Sequence, residues 1–451
     1  MREYVIDVDV LLSEVRALLE RGDPRSAAAL LEALRPADQA VVFEDLKPEE
    51  QDAIIPNLNE EVSADILEEL EEDDAAEVAE RMKADKLASI LDKMEPDEAA
   101  DLLGDIEPEK ADRALLAMEE AEDVKPLLKH QDETAGGLMT SVGIVLKTDM
   151  TARDAINYLR ELTPDDEDIY YLFVTDNTNR LKGVVNLRNL VTHPETAIIA
   201  DILDPDIISV LVSADQEDAA NLMQRYNLLA LPVVDEGNYL LGVITYDDSI
   251  DILQEEATED IYRLGGIAEK TPTDMPLMEA VRKRLPWLVV NLFMALISAA
   301  VLSIFENTIA QMAALAAFFP IVAGVSGSAG TQTLTVTVRS LALGEIEPKN
   351  ALRIVLNQFG LSLINGLSVG AIITLIALVW KKDLVLGLIA GVATLVNILS
   401  TAVTGVLIPL TIQKMKSDPA LASPIIVTAL TDALGYLLYL ALATAAITWI
   451  S

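Results

Sequence analysis

The chain has no cysteine, only two histidines, 4% aromatic residues and no excess of positive charge. Lacking cysteine, it has no disulfides and no thiolate metal sites. Histidine scarcity, with His130 and His193 both in the first half, leaves oxygen as the ligand for any metal. The formal charge of −40 is the wrong sign for phosphate and argues against a nucleic-acid partner. The first 22 residues, Met1 to Gly22, mix Asp, Glu and Arg with apolar residues, and no uninterrupted apolar core of a signal peptide stands there.

What the chain does contain is divided very unevenly. From residue 281 onward there are ten Lys or Arg and six Asp or Glu, which leaves 67 of the 73 acids and 23 of the 33 bases in the first 280 residues. An acidic, water-facing part is thus joined to an apolar one, and a large anionic field suits cations as ligands. The apolar part allows five spans of about 20 residues or more, at about 286–305, 312–338, 353–379, 384–412 and 424–450. With the N-terminal region inside, Arg282, Lys283, Arg284, Lys349, Arg353, Lys414 and Lys416 fall in the cytoplasm and only Lys381 and Lys382 outside. Five spans then place the C-terminus outside the cell membrane.

Asp432 is the exception among these spans. It lies in the run from Ile425 to Gly435, where an ionised carboxylate costs several kcal/mol (on the order of 3) and should meet water, a cation or a partner. A protonated Asp that joins helices is the plainer alternative, although no intramembrane Lys, Arg or His is available to neutralise it. The second span is interrupted by Pro320, Gly324, Gly327 and Gly330 and is rich in hydroxyls. This composition is expected of irregular backbone lining a pore, or of close helix packing. Asp432, Thr428 and Thr431 with Gly327, Ser328, Thr331 and Gln332 are the candidate ion-pathway residues. One carboxylate per subunit with hydroxyls and carbonyls suits a hydrated Mg2+, which gives up water reluctantly. Two copies of Asp432 about a twofold axis would match its charge.

The acidic part carries two repeats. Leu34, Leu46, Leu58, Leu70, Met82, Met94, Ile106 and Met118 follow one another at twelve-residue spacing, most with a helix-start signal close behind, which predicts a helical superhelix. Residues 138–197 and 202–254 form a second repeat in which Asp176 and Asp235, and Gly183 and Gly242, are each 59 apart. Short β runs alternate there with helical segments. Next to the first span, Asp247, Asp248, Asp251, Glu255, Glu256, Glu259 and Asp260 crowd together at repeated i,i+4 spacing. Like charges at that spacing destabilise a helix unless cations bind. A solvated acidic face is the plainer reading for an isolated helix, but the position beside the first span favours a cation sensor.

The tandem unit resembles a pair of cystathionine-β-synthase (CBS) domains, and the whole order is similar to the MgtE family of magnesium channels. The residues carrying the likeness are Glu133-Thr-Ala-Gly-Gly-Leu-Met-Thr140, Glu256-Ala-Thr-Glu-Asp-Ile261 and the fifth-span run through Asp432. The resemblance implies a multidomain chain: an all-α superhelix over 1–130, an α/β CBS pair over 131–254, an acidic connecting helix over 255–281 and a five-helix membrane domain over 282–451. It further implies a homodimer with the pore between subunits in the lipid bilayer and closure by intracellular Mg2+. Asp97, Asp101, Glu217, Asp248, Asp251, Glu256, Glu259 and Asp418 are the implied regulatory ligands. CBS pairs often hold ATP or another adenine nucleotide through a Ser or Thr and an Asp three residues on, which here points to Thr245 and Asp248. Ser326-Gly-Ser-Ala-Gly-Thr-Gln332 departs from an Asn-rich family stretch, which leaves the choice among Mg2+, Ca2+, Mn2+ and Co2+ open. An ion-coupled transporter or exporter of Mg2+, Co2+ or Mn2+ is the alternative. A membrane enzyme fits less well, since the membrane half offers no nucleophile-base pair.

Overall fold

The computed structural model describes residues 8–131, 133–162, 171–267, 275–343, 345–346, 350–415 and 417–450. It divides into two compact units, Met1–Leu253 and Gln254–Ser451. Lys349 and Lys416, used above for orientation, lie outside the described residues.

In the first unit, α1 (Val8–Glu20) leads into a run of short helices. These are α2 (Pro24–Leu31), α3 (Pro36–Glu44), α4 (Pro48–Ile54), α5 (Glu60–Glu68), α6 (Glu72–Arg81), α7 (Ala84–Leu91), α8 (Pro96–Asp105) and α9 (Pro108–Ala117), closed by the single turn α10 (Ala121–Val124). From α2 to α9 each helix starts twelve residues after the one before, and five of these starts are proline. Proline fits there because its fixed φ suits the first turn and its missing N–H would have had no helical partner. The twelve-residue apolar series falls in the connections: Leu46, Leu58, Leu70, Met94, Ile106 and Met118 are buried, with Leu34 and Met82 packed against the same core. Alternate helices pack together, α1 on α3, α3 on α5, α5 on α7, α7 on α9, and α4 on α6, α6 on α8.

A second ladder runs through this array. Glu32 accepts the backbone N–H of Asn59 at 2.9 Å, Glu68 that of Glu95 at 2.7 Å, Glu80 that of Glu107, and Asp92 that of Glu119 at 3.0 Å. Each bond spans 27 residues. A carboxylate near the end of one helix thereby caps the start of the segment three helices on, where a backbone N–H has no helical partner.

The same unit contains β1 (Val145–Lys147), α11 (Ala152–Leu162), β2 (Leu172–Thr175), β3 (Leu181–Val185), α12 (Leu187–Thr192), α13 (Ile199–Ile202), β4 (Val210–Leu211), α14 (Gln216–Tyr226), β5 (Ala230–Val234) and β6 (Leu240–Thr245). Each copy is a three-stranded sheet whose central strand, β2 or β5, is parallel to the strand before it and antiparallel to the one after. Asp176 and Asp235 turn the two hairpins by accepting backbone N–H groups within the turn, and Asn179 and Asn238 follow at φ 63° and 62°. The turns also bind each other: Leu181 N–H donates to Asn238 O at 2.9 Å and Leu240 N–H to Asn179 O at 3.1 Å. Gly183 and Gly242 share one reason. A Cβ at 183 would lie 2.3 Å from the Asp204 carbonyl and one at 242 would lie 2.7 Å from that of Thr140, because another backbone crosses each strand there.

Helix α15 (Tyr246–Leu264) carries all seven clustered acids and continues through the boundary between the units. The second unit then holds α16 (Leu277–Ile304), α17 (Glu306–Gln311), α18 (Phe319–Ala342), α19 (Ala351–Lys381), α20 (Leu384–Lys414) and α21 (Pro419–Ile450). Among the described residues five segments are long and apolar enough to cross a membrane: Ala280–Ile304, Ala313–Ala342, Ala351–Lys381, Leu384–Lys414 and Ser423–Trp449. Helix α20 is the centre of this unit, packing against α18, α19 and α21. Gly370 and Gly391 let α19 and α20 meet backbone to backbone, since a Cβ on either would lie 2.5–2.7 Å from the other's carbonyl.

One expectation is corrected. Pro320 and the glycines do not interrupt the second span. A 3₁₀ turn over Ala313–Phe318 precedes α18, Pro320 falls in the first turn of the helix, and Gly324, Gly327 and Gly330 lie within one continuous α-helix. A proline in the first turn removes no intrahelical bond, so the polar lining has to come from side chains and not from freed backbone.

Candidate ion pathway and acidic clusters

On α18 the residues Ser328, Thr331, Gln332, Thr335 and Val336 line an open groove of about 530 Å³. Ser328, Thr331 and Gln332 are exposed and Gly327 is half-buried, the i, i+3, i+4 pattern of a single helix face. The Ser328 hydroxyl donates back to Gly324 O at 3.0 Å and that of Thr331 to Gly327 O at 3.1 Å. Their lone pairs are thereby left to face outward as acceptors. Helix α21 runs beside α18: a Cβ on Gly330 would lie 3.2 Å from Val427 and 3.5 Å from Thr431. Asp432 is half-buried and Thr428, one turn earlier, is exposed. Thr431 is turned the other way; it is fully buried and its hydroxyl donates to the carbonyls of Val427 and Thr428 at 2.9 Å. Among the described residues Asp432 makes no hydrogen bond and no ion pair.

A second group of acids lies in the first unit. Asp97, on α8, is only 5% exposed, and among the described residues its Oδ1 has no hydrogen-bond partner. Burial and then the neighbouring Asp248 push its carboxyl up to about 7. Glu98 is pushed up to about 9, first by burial and then by Asp97, Asp101, Asp248 and Glu68. Burial also raises Glu68, Asp248 and Glu69, the last with help from Asp251. The structure therefore brings Asp97, Asp101, Asp248 and Asp251 into one acidic region and adds Glu68, Glu69 and Glu98, which the sequence does not single out. Glu217 sits in the first turn of α14, where its N–H donates to Asp215 at 2.9 Å.

In the second unit, Asp260 is pushed up to about 6 by burial, then by Asp418 and Glu256, against the pull of Arg339. Arg263 pairs with Glu259 and with Asp418. Asp418 also caps α21, accepting the N–H of Ala420 at 2.7 Å. In sequence Arg263 is legible only as the i+4 partner of Glu259. Among the described residues no three carboxylates or histidines converge closely enough to hold a metal by themselves. The donors are oxygens, one of them buried without a partner, and this fits a hard cation that keeps much of its water and takes one or two carboxylates.

Comparison with known proteins bears on all three regions. Residues 319–442 match the family described as divalent cation transporter, MgtE; residues 34–133 match the MgtE intracellular N domain; and 135–195 and 199–253 each match a CBS domain. The magnesium transporter MgtE of Enterococcus faecalis is 38% identical over 72% of this chain and 72% of its own, and that of Bacillus subtilis is 34% identical over 73% and 74%. The chain belongs to the MgtE family of magnesium transporters. The MgtE of Thermus thermophilus is 32% identical over 73% of each chain. The first unit is similar to a crystal structure described as the cytosolic domain of the Mg2+ channel MgtE in complex with ATP. That likeness has a TM-score of 0.50 and 31% identity, and covers 53% of this chain and 99% of that one.

Within this MgtE-family chain, Thr245 and Asp248 are already bonded to each other. Asp248 Oδ2 accepts the Thr245 N–H at 3.1 Å and its hydroxyl at 2.5 Å, a capping arrangement at the start of α15. In the first copy the bond runs the other way: Asn186, at the N-cap of α12, accepts the N–H of Asn189 at 2.7 Å.

Proposed function

We propose that the chain is a magnesium channel of the cell membrane that admits Mg2+ to the cytoplasm and closes when intracellular Mg2+ rises. The observation that carries the first part is the polar face of α18 together with Asp432 on α21. Helix α18, long enough to cross a membrane, exposes hydroxyls and a carboxamide along one face, and Asp432 stands half-buried on the neighbouring α21. In hydrocarbon such a face is expensive, so it borders water or another protein surface. A homodimer pairing these faces would enclose them, with two Asp432 carboxylates matching the charge of one divalent ion. The basic residues of the loops support a cytoplasmic N-terminal region and an outward C-terminus.

The second part rests on the acids. Asp97, Asp101, Glu217, Asp248, Asp251, Glu256, Glu259 and Asp418 are the proposed regulatory set. Like-charged carboxylates held close, as Asp97 and Asp248 are, repel one another, and a divalent ion beside them removes the repulsion and favours the closed state. ATP or another adenine nucleotide is the proposed ligand of the CBS pair, with Thr245 and Asp248 at its edge.

Flux of Mg2+ into liposomes, with internal Mg2+ varied, tests transport and feedback together. Uptake should fall as internal Mg2+ rises, and neutralising Asp251, Glu256 and Glu259 together should weaken that inhibition. Uptake that requires a proton or sodium gradient would instead mark an ion-coupled transporter.

A further inference from the structure

We infer that Asn397 is a positioning residue for Asp432, holding from behind the helical turn that carries the carboxylate. The inference rests on the reading of Asp432 as an ion ligand and goes beyond it. Asn397 lies on α20 and is fully buried. Its Nδ2 donates to the carbonyl of Thr431, the residue before Asp432, at 3.0 Å. Its Oδ1 accepts the Ser400 hydroxyl at 3.3 Å, and that hydroxyl also donates to the Asn397 carbonyl at 2.6 Å. The amide is thus bonded at both ends.

The Thr431 carbonyl does not need this bond. Within α21 it is the acceptor for the N–H of Gly435, four residues on. A buried carboxamide among apolar helices is costly unless paired, and an apolar side chain could pack in its place. What Asn397 adds is a lateral attachment between α20 and one particular turn of α21. Gly435 makes room for it: a Cβ there would lie 2.5 Å from Asn397 Nδ2 and 3.8 Å from Val322 of α18. Gly330, about two turns along α18 from Val322, keeps Thr431 in van der Waals reach, 3.5 Å from where a Cβ would lie. The turn from Thr431 to Gly435 is therefore held by α18 and α20 on its buried side while Asp432 stands half-exposed. A ligand held by locked neighbours meets its ion without first being ordered.

The test is Mg2+ uptake into liposomes as a function of external Mg2+ for the full chain and for Asn397→Ala, Gly435→Ala, the double variant and Asp432→Ala. Loss of the attachment should raise the half-saturating Mg2+ concentration about three- to tenfold while leaving maximal flux within about twofold, the scale of one intramembrane hydrogen bond. Gly435→Ala should do the same, because its methyl displaces the amide, and the double variant should be no worse than the poorer single one. A merely structural role would lower maximal flux in step with the amount of monodisperse protein and leave half-saturation alone; that result overturns the inference. If Asn397→Ala does not yield monodisperse protein, Gly435→Ala decides by the same criterion. Should Asp432→Ala transport normally, the pathway reading itself fails. Should it abolish flux while both single variants keep wild-type half-saturation, only the role of Asn397 is refuted.

Discussion

Asp432 stands out in the sequence because a carboxylate among apolar residues has no cheap explanation, and no base stands near it in the chain. Glu98 is invisible by the same logic. In an acidic, water-facing segment one more Glu is ordinary; the fold buries it and brings Asp248 and Glu68, from distant parts of the chain, alongside its own helix neighbours Asp97 and Asp101. These two cases set the limit of local reading at the residue scale. They also give a pH prediction. Asp97 and Glu98 bind protons more tightly folded than unfolded, so the folded state gains stability below their ordinary carboxylate range. That gain is lost as pH rises through about 7 and about 9. In chelator, the melting temperature of the soluble region should therefore fall from about pH 5 to about pH 9, and added Mg2+ should restore it most at the alkaline end. A melting temperature that rises with pH in chelator contradicts the assigned repulsion.

For the helical array, spacing alone is enough to expose the architecture. The twelve-residue series marks the connections where a side chain must turn inward, and proline at helix starts sharpens it. The 59-residue offset of Gly183 and Gly242 likewise marks a repeated unit, though not the crossing backbone that makes glycine necessary. The carboxylate ladder is hidden because its bonds join segments 27 residues apart, and Glu32, Glu68, Glu80 and Asp92 look like ordinary surface acids. Asp92→Ala removes caps from the N–H groups of both Glu119 and Glu120. It should cost about 1 kcal/mol, in line with loss of a helix cap, read as a lower denaturant midpoint with an unchanged slope. No change would mean that these N–H groups are equally well served by water. In α18 the composition reveals the polarity of the span but suggests a break that the helix does not have, since proline next to a helix start looks, in sequence, the same as proline inside a helix.

For the whole molecule, order and kind of domain are legible throughout, because the acidic and apolar parts answer to different solvents. Pairing of two copies follows only from family likeness and from having one intramembrane acid per chain. The natural lack of cysteine makes a direct check simple. A single Ser328→Cys, on the exposed face of α18, should crosslink two chains through a short bifunctional thiol reagent in membranes. The control is Ile364→Cys, at an exposed apolar position of α19, which should not crosslink. Equal crosslinking at both sites would deny the α18 face a special place between copies.

Mg2+ flux through Asp432→Ala in liposomes, alongside a size measurement of the purified protein, tests most directly whether this carboxylate lies on the ion path. Flux lost while the protein keeps the wild-type oligomeric size is the expected result. Undiminished flux through that variant would contradict the claim that this carboxylate meets the permeating ion.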